Sequence, residues 1–259
     1  MPEGDTIHSA ARRVGAALVG SPIESIETPQ PRHARDRWPE RLAGRSVRAV
    51  DAHGKHLFLR FEGDLTLHSH LRMGGWWGVF RRGERWRRSP RRAWLVIRTP
   101  EHEVVQFDGP VLELMTEGRT RFDQRLAGLG PDILAETFDL DRALRNVRSA
   151  GTHGVGDVLL DQRNVAGIGN IWKAESCFAA GVSPWRRTSE VSDDDLSRIL
   201  CSARDLMQES VAGRGFMPKE RIQVFERAGL PCRRCGTLVR ARGQGENNRT
   251  TYWCPGCQR

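Results

Sequence analysis

GVGDVLLDQRNVAGIGNIWKAE, residues 154–175, is the stretch on which the fold turns. Val158 and Leu159 begin an apolar helical stripe, a glycine-bearing turn follows, and a second helix is expected from about Ile171. By itself Gly167-Ile168-Gly169-Asn170 suggests a nucleotide loop. No strand precedes it, and no third glycine follows at the right offset, so the dinucleotide reading is weak. A helix, a turn and a helix instead put Asn170 and the backbone N–H groups around Gly169 at a helix N-terminus, which is suited to an anion such as a DNA phosphate. The alternative is a glycine-rich helix hairpin that only packs, and the rest of the chain decides between them.

Downstream of this stretch, DDDLSRILCSARDLMQES reads as a long amphipathic helix, and upstream LDRALRNV reads as another. Before residue 128 the pattern changes to short alternating or β-branched runs: VRAVDA (47–52), HLFLRF (56–61), LTLHSH (65–70), WWGVF (76–80), AWLVIR (93–98), EVVQFD (103–108) and VLELM (111–115). Their length and spacing predict an antiparallel sandwich or barrel. Ile7, Ala10, Ala11, Val14 and Leu18 add one flanking helix over 5–20, with Asp5 placed to cap it. The arginine-dense RRGERWRRSPRR (81–92) is expected to form a solvated hairpin tip. The fold class is therefore multidomain α+β, divided as 1–122 (β-sandwich), 123–225 (helical, with a linker) and 226–259 (a cysteine-rich module).

That last module carries the most specific spacing in the chain. Cys232, Cys235, Cys254 and Cys257 form C-x2-C, an 18-residue spacer and C-x2-C, the arrangement of four thiolates around one structural zinc ion. A disulfide pair is the alternative, disfavoured in a chain that shows no signal peptide. About 30 residues cannot fold on their own core, so the metal supplies their stability. Cys177 and Cys201 lie in helical patterns, where buried thiols are the default. Residues 226–259 hold seven arginines against two glutamates, over half of the net charge of +9. With 41 Lys and Arg against 32 Asp and Glu, the chain expects a polyanionic partner, and forked guanidinium groups suit phosphate. No apolar run approaches the ~20 residues needed to cross a bilayer.

These motifs, in order along essentially the whole chain, resemble the formamidopyrimidine-DNA glycosylase and endonuclease VIII family of base-excision repair enzymes. MPEG at the start is similar to the family's N-terminal proline and glutamate, and HGKHLF (53–58) to its lysine-bearing hairpin. LLDQRNVAGIGNIWKAE (159–175) is similar to its helix-two-turns-helix motif, and RTTYWCPGCQ (249–258) to the second half of its zinc finger. The resemblance implies a bacterial cytoplasmic protein at the nucleoid, monomeric, without membrane attachment, acting on damaged duplex or single-stranded DNA.

It also implies roles for single residues. Removal of Met1 would leave Pro2 with a free secondary amine. An α-amino group titrates near ~8 against ~10.4 for a lysine, so its free-base fraction at neutral pH is larger by about two orders of magnitude. The resemblance makes Pro2 the nucleophile on the deoxyribose, Glu3 the acid-base residue and Lys55 a phosphate ligand beside the lesion. Asn170 and Arg249 form a phosphate clamp, and Met73, aided by Arg72, wedges into the gap left by the extruded base. Asp5 and Thr6 depart from the family's usual proline and glutamate, and DGPVLE after Phe107 lacks the paired arginines of the oxidised-purine branch. MPEG and the short segment AGRGFMPKERIQ (212–223) favour the endonuclease VIII branch and oxidised pyrimidines. Three alternatives remain at this level: an oxidised-purine glycosylase, a damaged-DNA-binding protein whose catalysis has lapsed, and a zinc-ribbon transcription or ribosomal factor. The last explains the tail but not the amino terminus.

Overall fold

The computed structural model describes residues 2–213, 215 and 217–259, apart from the side chains of Ala34 and Arg35. The expected trimming of Met1 and part of the 212–223 segment therefore lie outside the described residues. The chain divides into two compact units, Met1–Pro2 with Thr6–Ala127, and Glu3–Asp5 with Gly128–Arg259.

The first unit begins with α1 (Gly4–Leu18), whose Ile7, Ala10, Ala11, Val14, Ala17 and Leu18 are buried at helical spacing. After β1 (Ser25–Glu27) and α2 (Trp38–Leu42), seven strands follow: β2 (Val47–His53), β3 (His56–Phe61), β4 (Leu65–His70), β5 (Trp76–Arg81), β6 (Ala93–Arg98), β7 (His102–Phe107) and β8 (Val111–Thr116). They form two antiparallel four-stranded sheets, ordered β2-β3-β4-β8 and β1-β6-β7-β5. Leu57, Leu59, Phe61 and Leu67 of one sheet share a core with Ile26, Trp77, Leu95, Ile97 and Val104 of the other and with α1, so the expected sandwich with its flanking helix is present. Strand alternation sends His56, Phe58, Arg60 and His68 to the opposite face of the first sheet, where Phe58 stacks on His68 at 5.2 Å. The short α3 (Glu117–Phe122) and α4 (Gln124–Ala127) close the unit. Arg125 there reaches Glu113 of β8 at 2.8 Å and Asp123 at 2.6 Å, holding the Asp123 carboxyl down at about 2.

Two expectations fail, one at Asp5, which belongs to the second unit, and one in the first unit. Asp5 does not cap α1 from outside; it lies within the helix's first turn, 3% exposed, and its carboxylate accepts from Ser210 Oγ of the second unit's own helix at 2.5 Å. Residues 81–92 are not a hairpin tip, because β5 and β6 each pair with β7 and not with one another.

In the second unit, α5 (Leu140–Ser149), α6 (Val155–Leu160), α7 (Asn170–Ala180) and α8 (Asp193–Ala212) surround a core of Val158, Leu159, Ile168, Trp172, Leu196, Ile199 and Met207. Ser192 caps α8 by accepting from Asp195 N, and Gly181, at φ +73, ends α7 in the left-handed conformation that glycine adopts freely. Downstream, β9 (Arg240–Gln244) and β10 (Arg249–Trp253) form a ribbon. Val224, Cys232, Val239 and Cys254 pack it against Ala174 and Phe178 of α7. Cys177 is fully buried as expected, whereas Cys201 is exposed on α8. No described helix is long and apolar enough to cross a membrane.

Candidate active site and nucleic-acid interface

In the second unit Glu3 is 1% exposed, and its carboxylate accepts from Ile171 N at 2.9 Å and Trp172 N at 3.3 Å. Glu3 thus caps α7 from a distant part of the sequence, and a carboxylate at a helix N-terminus gains from both the unpaired N–H groups and the dipole. Two of the donors that the sequence assigned to a phosphate are therefore taken by Glu3. Two glycines make the approach possible. A Cβ on Gly169 would lie 2.5 Å from Glu3 Cγ and closer still to Cδ. A Cβ on Gly4 would lie 2.9 Å from both Gly167 Cα and Met207 Cε, while Gly4 N donates to Gly167 O at 2.9 Å. Pro2 is bonded directly to this anchored pair.

The other face of α7 meets the β9–β10 ribbon. Asn170 Nδ2 donates to Thr250 O at 2.8 Å, which brings Asn170 beside Arg249, the exposed first residue of β10. Lys173, fully buried, donates from Nζ to Thr251 Oγ1 at 2.6 Å, and Thr251 Oγ1 donates to Gln244 Oε1 at 2.7 Å. Burial pushes the Lys173 ammonium down to about 8, against the opposing pull of Asp157 and Glu3. Glu175, also buried, accepts from Gln223 N, Val224 N and Phe225 N at 2.8 to 2.9 Å and so fixes the chain entering the cysteine module. Burial raises its carboxyl, and these three donors oppose the rise. Sequence reasoning missed Lys173 and Glu175, and it read Gly169 as part of an anion site and not as the gap that admits Glu3. The available clue to both was a pair of charged residues, Lys173 and Glu175, set among the apolar positions of the IWKAESCF helix.

Cys232, Cys235, Cys254 and Cys257 converge, with all four Sγ atoms within 4.8 Å of one another. The pairs Cys232–Cys257 and Cys235–Cys254 stand 3.9 and 3.5 Å apart. A tetrahedral ion with bonds of about 2.3 Å to sulfur separates its thiolates by about 3.8 Å, so the residues fit one metal ion.

In the first unit, Lys55 sits in the two-residue turn joining β2 to β3, after Gly54 at φ +56, and is half-buried. Its charge, after burial and the charges of Arg72 and His68, helps push the His70 imidazole down to about 4. Beside it, His56 Nδ1 meets His68 Nε2 at 2.8 Å, and His56 is pushed down to about 2, chiefly by burial. The turn after β4 carries Arg72 at φ +48, its N–H donating to His70 Nδ1 at 3.1 Å. Met73, next in the turn, is 63% exposed. A methionine of the core would be hidden, and this one is not.

Comparison with known proteins places both halves of the chain. Residues 1–128 match the formamidopyrimidine-DNA glycosylase N-terminal domain, and residues 129–219 match the H2TH domain of the same enzymes. A relative from Streptomyces coelicolor, named probable endonuclease 8 2, is 42% identical over all of this chain and 94% of its own length. A DNA-(apurinic or apyrimidinic site) lyase from Mycolicibacterium smegmatis is 36% identical, covering 100% of this chain and 99% of the relative. In three dimensions the Lactococcus lactis formamidopyrimidine-DNA glycosylase, solved with DNA containing an abasic site, covers 99% of both chains with a TM-score of 0.84 at 24% identity, which speaks for the fold. Both matched domains, and relatives aligned from end to end, assign the chain to the formamidopyrimidine-DNA glycosylase family.

Proposed function

We propose that this chain is a bifunctional DNA glycosylase and abasic-site lyase of base-excision repair, using Pro2 as its nucleophile. The observation that carries this reading is Glu3: immediately after Pro2 in the chain, its carboxylate is buried against the N-terminus of α7, the helix that Asn170 begins. The neutral Pro2 nitrogen attacks the deoxyribose C1′, the C1′–base bond breaks, and the base leaves with its electron pair and takes up a proton. Ring opening yields an iminium, with Glu3 handling the ring-oxygen proton. Loss of the C2′ proton then expels the 3′ phosphate by elimination. Lys55 holds a phosphate beside the lesion, Met73 with Arg72 fills the gap, and Asn170 and Arg249 grip the backbone. The four cysteines hold one zinc ion, which supplies the finger's fold and no chemistry. The division at 1–122, 123–225 and 226–259 belongs to this reading, as does a monomeric bacterial protein acting at the nucleoid.

Oxidised pyrimidines are the favoured lesions. The relatives named endonuclease 8 support this branch, and damaged pyrimidines stack poorly and extrude readily. Asp5, which departs from the family's usual residue, serves as the anchor for Ser210. Borohydride should trap the native chain covalently on abasic-site DNA. Trapping by Pro2→Ala equal to the native level would sink the nucleophile assignment, and an uncleaved Met1 should block trapping as well. On a panel of single-lesion duplexes, faster release of 8-oxoguanine opposite cytosine than of thymine glycol, dihydrouracil or 5-hydroxyuracil would overturn the lesion class.

A further inference from the structure

The connection between β5 and β6 is built differently from a solvated tip. RRGERWRRSPRR (81–92) holds seven arginines and one glutamate, yet it is pinned to the sandwich at several points. Trp86 stacks on Phe80 at 6.4 Å in an aromatic cluster with Trp76 and Phe107 on the outer face of the β1-β6-β7-β5 sheet, and its Nε1 donates to Glu103 at 2.7 Å. Arg88 lies over the Trp76 ring at 5.3 Å and donates to Asp108 at 3.0 Å, and Arg92 reaches the same carboxylate at 2.6 Å. Arg88 also donates to Gly74 O at 2.9 Å, which fastens the connection directly to the turn that presents Met73.

The pinned residues leave others outside. Arg85, Arg87 and Arg91 are exposed, and no described residue forms an ion pair with any of them. Holding like charges together on an ordered backbone costs free energy through mutual repulsion, and a polyanion relieves that cost. Forked guanidinium groups match phosphate oxygens in pairs, and an arm already ordered by Trp86 and Arg88 loses little further entropy on binding. We propose that residues 82–92 form a DNA-backbone arm braced on the Met73 turn, with Arg85, Arg87 and Arg91 gripping phosphates of the strand that passes that turn. This extends the DNA reading of the preceding subsection and depends on it.

The test uses the full-length zinc-loaded protein and a duplex carrying a stable abasic-site analogue. Each phosphate contact contributes about 0.9 to the slope of log affinity against log salt, so the triple change of Arg85, Arg87 and Arg91 to Gln should lower that slope by about 2.7. The corresponding triple change to Lys should keep most of the slope, which separates charge from fold. Trypsin supplies a second readout, since saturating DNA should slow cleavage after Arg85, Arg87 and Arg91 in the native chain. If the native protein binds this DNA, but the Gln variant keeps the full slope or trypsin cuts the arm equally with and without DNA, the arm is refuted. A native protein that does not bind the duplex at all would instead refute the DNA reading on which the arm rests.

Discussion

Replacing Gly169 by alanine isolates what holds Glu3 in place. Gly169 has φ −122 and ψ −162, extended backbone that alanine adopts without strain, so the effect of the change is steric alone. The new methyl would stand 2.5 Å from Glu3 Cγ and Oε1, where unbonded carbon atoms rest at about 3.5 to 4.0 Å. Glu3 must therefore withdraw, and its bonds from Ile171 N and Trp172 N go with it. Hydrogen bonds to a charged acceptor contribute about 1.5–3 kcal/mol each, and water reaching the half-buried Ile171 returns part of the loss, which leaves a net cost of about 2–4 kcal/mol. At roughly 2–4 °C per kcal/mol for a chain of this size, the melting temperature should fall by about 5–15 °C. Single-turnover cleavage of abasic-site DNA should fall with it, to within about threefold of Glu3→Gln. The double variant should be little worse than the poorer single, because both changes break one interaction. Native melting together with native cleavage for Gly169→Ala would refute the placement of Glu3 against α7.

Three further outcomes follow from other parts of the structure. Lys173, pushed down to about 8 by burial, binds fewer protons folded than unfolded between pH 8 and its ordinary value near ~10.4, so stability rises with pH through that window; the melting difference between native and Lys173→Met proteins should shift toward the native chain from pH 7.5 to 9.5, and a pH-independent difference would contradict it. Removing the metal with a chelator, or changing Cys254 to Ser, should unfold the ribbon that Asn170 and Lys173 hold and abolish DNA binding, as read by tryptophan emission from Trp253 and by gel shift; binding that survives chelation would contradict the metal's structural role. Asn170→Ala and Arg249→Ala should weaken damaged and undamaged duplexes by equal factors, because phosphate contacts position without reading bases, and a loss confined to damaged DNA would show that they act elsewhere.

Much of the architecture was legible because local rules are strong where elements are regular. The seven runs from VRAVDA to VLELM became β2 to β8 within a residue or two at each end, since side-chain alternation and the Gly and Asp turns between them encode strand period directly. The three-residue β1 was not, being too short to show a period, and β9 and β10 were hidden by the polar composition of RARGQ and RTTYW. The cysteine spacing alone predicted a four-thiolate cluster, because C-x2-C turns define their own geometry within a few residues.

What tertiary structure decided was the partner of each charge. In sequence, Asp5 looked like a helix cap and the N-terminus of α7 like an open anion site. Packing gave Asp5 to Ser210 and the α7 donors to Glu3, 168 positions away from Ile171. Of the arginines of 81–92, which looked alike, folding paired Arg88 and Arg92 with the one carboxylate of Asp108 and Arg82 with Glu24, and left Arg85, Arg87 and Arg91 exposed without an ion pair among the described residues. The physical reason is the range of the forces. Backbone period and metal-ligand turns act over a few residues and are written along the chain, whereas burial and hydrogen-bond pairing depend on which distant groups the closed core brings within about 3 Å, and residue order does not record that distance.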